Sequence, residues 1–381
     1  MKPLVLQLID SFNQGGSERQ AIQLTRLLHE SGRFRVRLAS LSPEGALRSS
    51  VADLDLGDIP SFPLTSLYDL NAVKQLNNLA AFLRKEKVSI IHTHDFYTNI
   101  FGMSAGMLAR VPARLASKRE TAGMRSRAQN KAEGLAYAIA HNILANSEAV
   151  REKLTERGIK DRKISVIYNG LDTSRLLPTL TRTEALSLFE LPPELGQRGK
   201  FVTIVANMRH DVKDYPMFLR AASQVKSLVS EAAFLLAGEG ELTESIRSLA
   251  RELGIENRTF FLGRCEKIAE LLSISDVCVL SSKAEGFSNS ILEYMAAGCP
   301  VVATDVGGAK EALVEEVTGY LVRSGDDATM AERIVSLLRE PEAARRMGAQ
   351  GRQVVEMKFS CAAQLRDTEQ LYDKLLGARK D

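Results

Sequence analysis

Short aliphatic and β-branched runs alternate along the chain with longer stretches whose apolar residues recur every three or four positions. A short apolar run bounded by turn formers reads as a strand buried on both faces, and the wider spacing reads as an amphipathic helix. In the first half, strands are predicted at Leu4–Ile9, Val36–Ser40, Ile90–Thr93, Ala113–Ser117, Ile143–Ala145 and Ile164–Ile167, with helices over stretches such as Glu18–Ser31 and Leu70–Glu86. The rhythm restarts at Phe201–Ala206 and continues through Ala233–Ala237, Thr259–Leu262, Val277–Leu280, Val301–Ala303 and Gly319–Val322. Strands alternating with helices require crossover connections, which give mostly parallel sheets with helices on both faces.

Between Asp172 and Lys200 the periodicity weakens, and Pro178, Pro192, Pro193, Gly196 and Gly199 punctuate the chain. Residues 173–199 are therefore expected to link two doubly wound domains, 1–172 and 200–358, with a last helix within 359–381. The chain's 381 residues suit two such domains, and 45% hydrophobic with 25% charged residues excludes disorder as the main state. The four cysteines lie far apart without a C-x-x-C pair, which predicts free thiols rather than a disulfide scaffold. No apolar run is long enough for a membrane span, and the run Leu4–Ile9 is too short for a signal-peptide core. The expected location is the cytoplasm, at the inner face of the membrane.

Net charge is +3 but unevenly placed: residues 1–170 hold 24 Lys and Arg against 16 Asp and Glu, the remainder 26 against 31. A basic half joined to an acidic half points to an anionic partner for the first. Arg110, Arg114, Lys118, Arg119, Arg125, Arg127 and Lys131 face Glu120 alone within one segment, which predicts an anionic acceptor or an anionic membrane there. No aromatic platform is interleaved with these charges, so nucleic acid is not expected.

Gly15-Gly16 follows the first strand directly and precedes a helix predicted to open at Ser17 or Glu18. Residues without Cβ let the backbone approach a ligand, and free N–H groups at a helix start favour an anion. Taken alone, the pair equally makes a plain tight turn. Arg209 and Lys213 follow the strand Phe201–Ala206. At the carboxyl end of a parallel strand, a planar guanidinium and a mobile ammonium make a clamp for a diphosphate, or else two ordinary surface charges.

The richest segment runs from Ser281 to Val302. Glu285 falls in a loop, Ser288 is placed to cap a helix, and Gly298 is placed to stop it. Glu293, eight residues after Glu285, lies in the second helical turn, so the two carboxylates reach different parts of an extended ligand. A carboxylate only accepts hydrogen bonds, which suits vicinal sugar hydroxyls, while the helix start presents N–H groups to a phosphate. His92 and His94, two residues apart at a strand end, share a face. Metal ligation would need partners that this sequence does not supply, which leaves substrate contact by His94 or Asp95, or local hydrogen bonding.

These residues resemble glycosyltransferase family 4, retaining nucleotide-sugar transferases of the GT-B fold, over nearly the whole chain. Glu285 and Glu293 match the E-x7-E signature, followed by Ala296-Ala297-Gly298-Cys299-Pro300 and Gly307-Gly308. Gly15 to Arg19, Asn146-Ser147, Asn169 to Asp172, Met208-Arg209 with Lys213, and Phe359-Ser360 resemble the family's other motifs in the same order. The resemblance implies an α/β GT-B architecture, two Rossmann-like doubly wound domains facing a cleft. It implies transfer of a hexose from a nucleotide diphosphate sugar to a hydroxyl of a glycan or lipid-linked glycan, in polysaccharide or glycolipid synthesis, with no metal or other cofactor.

Residue by residue, the resemblance implies that Arg209 and Lys213 neutralise the departing diphosphate and that Gly15 and Gly16 approach the same phosphates. Glu285 would hold donor-sugar hydroxyls beside the helix start at Phe287, Ser288 and Asn289, and Glu293 would grip the ribose. One departure is the absence of a His after the strand Ala113–Ser117, where Arg119 or Glu120 stands instead. His94, Asp95, Arg119 and Glu120 are thus the acceptor-side candidates. Two other readings share the architecture: a sugar-nucleotide 2-epimerase, which needs no acceptor, and a non-catalytic sugar-nucleotide-binding protein.

Overall fold

The computed structural model describes residues 2–64, 66, 69–121, 126–196 and 199–377. Its contacts divide the chain into two units, Met1–Gly170 with Cys361–Asp381, and Leu171–Ser360. The first unit holds strands β1 (Leu4–Ile9), β2 (Arg35–Ser40), β3 (Ile90–Thr93), β4 (Ala113–Lys118), β5 (Asn142–Ala145) and β6 (Ile164–Val166), in the order β2-β1-β3-β4-β5-β6. The second holds β7 (Lys200–Val205), β8 (Ala232–Ala237), β9 (Thr259–Gly263), β10 (Val277–Leu280), β11 (Val301–Thr304) and β12 (Gly319–Val322), in the order β12-β11-β10-β7-β8-β9. All pairings between these strands are parallel.

Every residue of β1 and β8 is buried, as expected for strands covered on both faces. Alternation along β1 divides its side chains between two cores. Leu6 and Leu8 pack with Ile91, Phe101 and Tyr137, and Val5 and Ile9 pack with Leu24, Val36 and Tyr372. Each such aliphatic side chain contributes about 1.5–3 kcal/mol by leaving water. Gly102 lets the helix Phe96–Leu108 lie close on the sheet, since a Cβ there would approach Thr93 Cγ2 to 2.5 Å and Leu8 Cδ2 to 2.8 Å.

The span expected as a linker is folded. Thr181 caps a helix over Arg182–Leu188 with a reciprocal Glu184 bond, and Ala185, Leu186, Leu191 and Leu195 are buried against Phe201, Leu235 and Leu271 of the second unit. The elements are too short, and too interrupted by Pro, to show a period in sequence. The helix after β1 starts at Gly16, one residue earlier than expected, with Gly15 as its cap. The last helix, Cys361–Gly377, packs in the first unit: Tyr372 meets Phe34 edge-on at 5.5 Å, and Arg33 binds Glu369 at 2.9 Å and Asp373 at 2.7 Å.

A parallel sheet gathers all its carboxyl ends at one edge. The loops after adjacent strands therefore meet, namely β1, β3 and β4 in the first unit and β11, β10 and β7 in the second.

Candidate active site

In the second unit, the loop after β7 ends in a short turn over Asp211–Lys213, and Asp214 caps the helix Tyr215–Leu228. Lys213 Nζ donates to Glu285 Oε1 at 2.5 Å, and Ser282 Oγ donates to the same oxygen at 2.6 Å. Ser281 Oγ donates to the Lys213 carbonyl at 2.8 Å, so the loops after β7 and β10 are tied by backbone as well as side chain. Thr304 Oγ1, at the end of β11, donates to the Ser282 carbonyl at 2.6 Å. Gly308 N donates to the Gly286 carbonyl at 2.7 Å. Gly307 has φ +56°, and a Cβ on it would lie 2.1 Å from the Glu285 carbonyl oxygen. A side chain there would push the Glu285 loop away, which explains the glycine.

Ser288 caps the helix Asn289–Ala296. That helix is pinned to the end of β7: Ser290 Oγ donates to the Val205 carbonyl at 2.9 Å, and Val205 N donates to Tyr294 Oη at 2.7 Å. Asn289 opens the helix and Glu293 sits half-buried in its second turn. The Phe287 ring is buried 5.1 Å from Phe359, which leaves its backbone rather than its side chain for a ligand. Arg209 is exposed and makes no ion pair among the described residues.

In the first unit, a pocket of about 160 Å³ is lined by His94, Asp95, Ser117, Lys118, Arg119 and Glu120, among others. Asp95 caps the helix Phe96–Leu108 in a reciprocal box with Thr98. Burial, with Asp10 and Glu18 nearby, pushes its carboxyl up to about 7. Arg119 Nη1 donates to Asn169 Oδ1 at 2.7 Å, while its buried Nε makes no hydrogen bond among the described residues. Burial lowers this guanidinium to about 10, with Glu18 opposing the shift. His94 is 2% exposed, and its Nδ1 likewise makes no hydrogen bond among the described residues. Burial, then His92 and Arg119, hold its basicity well below the usual imidazole range. A neutral imidazole with one unbonded nitrogen and a guanidinium thus line one small cavity.

The contacts place the other candidate residues as follows. Of the basic segment, Lys118 is buried on Glu133 at 3.1 Å and Arg114 donates to the carbonyls of Ile139 and Val111, so these two serve the fold, while Arg119 binds Asn169 and lines the pocket. Arg110, Arg127 and Lys131 are exposed, and Arg125 lies outside the described residues. Glu120 pairs with Lys118 at 3.2 Å. Glu18 folds back beside Gly15: a Cβ on Gly15 would lie 2.0 Å from Glu18 Oε2. Asp53-Leu54-Asp55 has Asp-x-Asp spacing, but Asp53 is held by Arg26 at 2.7 Å. Among the described residues no group of three or more His, Cys, Asp or Glu is placed to hold a metal.

Sequence reading missed Ser282, Thr304, Gln7, Glu133 and Tyr372. Gln7 had a usable signal, as the one polar residue inside the apolar strand Leu4–Ile9. Tyr372 had none, because its partners are 280 and 365 positions away.

Each unit is a parallel α/β sheet that gathers its strand ends at one edge. The model of Glycosyltransferase Family 4 matches residues 14–175, and that of Glycosyl transferases group 1 matches residues 192–354. The chain belongs to this glycosyltransferase family. It is 31% identical over 241 residues to N-acetyl-alpha-D-glucosaminyl L-malate synthase of Bacillus anthracis, covering 63% of this chain and 61% of that protein. It is 27% identical over 267 residues to UDP-Gal:alpha-D-GlcNAc-diphosphoundecaprenol alpha-1,3-galactosyltransferase of Escherichia coli, covering 67% of each. Against the first curated relatives the chain spans between 42% and 67% of their length. The fold matches the crystal structure of Anabaena HepE in complex with UDP, with a TM-score of 0.84 and 20% identity, covering 98% of this chain and all of the other. Among the described residues no helix is long and apolar enough to cross a membrane.

Proposed function

We propose that the protein transfers a hexose, with retained configuration, from a nucleotide diphosphate sugar to a hydroxyl of a glycan or lipid-linked glycan. The observation that carries this reading is the Lys213–Glu285 pair, which brings a cation and a sugar-hydroxyl acceptor together at adjacent strand ends. As the bond from sugar to diphosphate breaks, negative charge grows on the leaving oxygen. Lys213, with Arg209 on the same loop, neutralises that charge, and a donor phosphate takes the place that Glu285 Oε1 holds on the ammonium. Glu285 is then released to bind sugar hydroxyls. Glu293 and the backbone at Phe287, Ser288 and Asn289 hold the rest of the donor.

The acceptor enters the first unit's pocket, where His94 Nδ1 takes a hydrogen bond from a hydroxyl and Arg119 faces a negative group. One relative, named for a diphosphoundecaprenol-linked sugar, supports a lipid-linked acceptor; another is named for L-malate, and the two share only an anionic acceptor. Arg110, Arg127 and Lys131 give the same unit an attraction to anionic lipid. No metal takes part in this scheme.

A thermal-unfolding screen against uridine, guanosine, adenosine and thymidine diphosphates tests the donor side. A ligand at a hundred times its dissociation constant adds about 2.7 kcal/mol of stability. One of the four is expected to raise the melting temperature of the parent chain much more than that of Lys213→Ala. A screen with no shift for any of them would sink the proposal. The anthracis and coli relatives do not agree on an acceptor, so the screen also decides which donor to pair with candidate acceptors.

A further inference from the structure

Side chains alternate across a strand, so Gln7 shares its face of β1 with Val5 and Ile9, whose core cluster includes Tyr372 of the last helix. Gln7 is fully buried and lies in register with His92 of β3. Gln7 Nε2 donates to Tyr372 Oη at 2.8 Å, and Gln7 Oε1 lies 2.6 Å from His94 Nε2. Tyr372 Oη lies 2.7 Å from His92 Nδ1, and His92 Nε2 lies 2.8 Å from Ser117 Oγ. The rings of His92 and His94 stack with centroids 4.2 Å apart. All these groups are almost wholly buried.

Donation can run through such a chain in one direction at a time. The Tyr372 oxygen already accepts from Gln7, and burial raises its pKa, so the phenol keeps its proton and spends it on His92 Nδ1. Burial holds His92 neutral, at about 3, so its single proton sits on Nε2 and goes to Ser117. At the other end the Gln7 carbonyl oxygen can only accept, so His94 must carry its proton on Nε2. His94 Nδ1 is then the bare nitrogen, and it is the atom that the described residues leave without a hydrogen bond.

We infer that Tyr372 and Gln7 are positioning residues: through this chain they fix the tautomer of His94, so that its Nδ1 accepts from a substrate hydroxyl. The functional part rests on the acceptor-pocket reading above; the tautomer itself does not. Reversing the Gln7 amide would turn every bond in the chain around and make His94 Nδ1 a donor. A hydroxyl about to attack could then not give its proton to that nitrogen. The last helix, distant in sequence, thereby sets the chemistry of a residue at a strand end. The charged and titratable groups facing His94 are His92 on β3, Asp95 beside it, Arg119 after β4, and Lys118, Glu120 and Glu133 in the same pocket. Asp10 and Glu18 stand near Asp95.

The test is the tautomer of His94 in the full chain labelled with nitrogen-15 at its five histidines, read by long-range proton–nitrogen correlation. His94→Gln assigns the signal. The parent is expected to show a protonated Nε2 and a bare Nδ1 from pH 5 to 8. Tyr372→Phe, with its fold checked by melting, is expected to lose that single pattern. Gln7→Glu puts a carboxylate beside the ring and should raise the titration midpoint of His94 by about one pH unit or more. A parent chain with the proton on Nδ1 would overturn the inference. So would a folded Tyr372→Phe with an unchanged pattern, or, where that variant does not fold, an unmoved midpoint in Gln7→Glu. If instead the tautomer behaves as stated while His94→Gln leaves acceptor kinetics intact, the pocket reading fails and the chain of bonds stands.

Discussion

In the second unit the groups proposed to hold the donor stand on loops near solvent. Arg209 is exposed, and Lys213 and Glu285 keep 17% and 13% of their side-chain surface while bonding to each other. In the first unit the equivalent strand ends are sunk into the fold. There His92 and His94 are buried in a continuous hydrogen-bond chain, Lys118 and Arg157 share a fully buried Glu133, and Asp95, His94 and Arg119 all have shifted proton affinities. A site that must hold a diphosphate and then let it go suits mobile cations whose pairing can be exchanged. A site that must orient one hydroxyl suits a rigid interior whose tautomers are set in advance. The same parallel topology supports both, because only the loops and the burial differ.

That contrast fails or sharpens under substitution. The largest effect is expected for Glu133→Ala, which strands Lys118 and Arg157 without their shared carboxylate. Lys118 keeps Glu120 and Arg157 is partly exposed, so the cost is about 1–3 kcal/mol of stability, readable as a lower urea midpoint. An unchanged midpoint would mean that the first unit's ions are no more structural than those of the second. Lys213→Ala should lower turnover by roughly a hundredfold through lost charge stabilisation, with a stability change of only about 1 kcal/mol. If stability fell as far as in Glu133→Ala, the exchangeable character given to that pair would be wrong. Glu293→Ala comes next, with roughly tenfold weaker donor binding by calorimetry and turnover at saturating donor largely kept, the loss of one charge-assisted hydrogen bond. Parental affinity in that variant would remove Glu293 from the donor site.

A pH dependence sharpens the same contrast. Asp95 is held at about 7 in the folded chain against about 3.9 when unfolded, so between these values the folded state binds the proton that the unfolded state has released. Stability must therefore fall as pH rises from about 4 to about 7. Asn at position 95 cannot ionise and can still accept from Thr98 N as a helix cap. Asp95→Asn should flatten the fall across that window. Stability curves that stay parallel across that window would show that the carboxyl titrates in water, and the first unit's pocket would then be wetter than its burial implies.

The alternation of apolar runs and amphipathic stretches determined the strands to within a residue or two, since the central strands are covered on both faces and so are mostly apolar. It also determined the E-x7-E segment, because a cap, a helix start and two carboxylates at set spacing are local features. Folding of 173–199 onto the second unit was not legible: Ala185, Leu186, Leu191 and Leu195 have a reason to be apolar only once Phe201 and Leu235 stand opposite them. Only tertiary structure decided that Lys118 serves Glu133 rather than a partner, and that Glu18 folds back on Gly15. Only it brought Tyr372 to Gln7 across 365 positions. Hydrogen-bond direction and proton affinity depend on which groups burial brings together, and burial is a property of the folded whole rather than of any stretch of sequence.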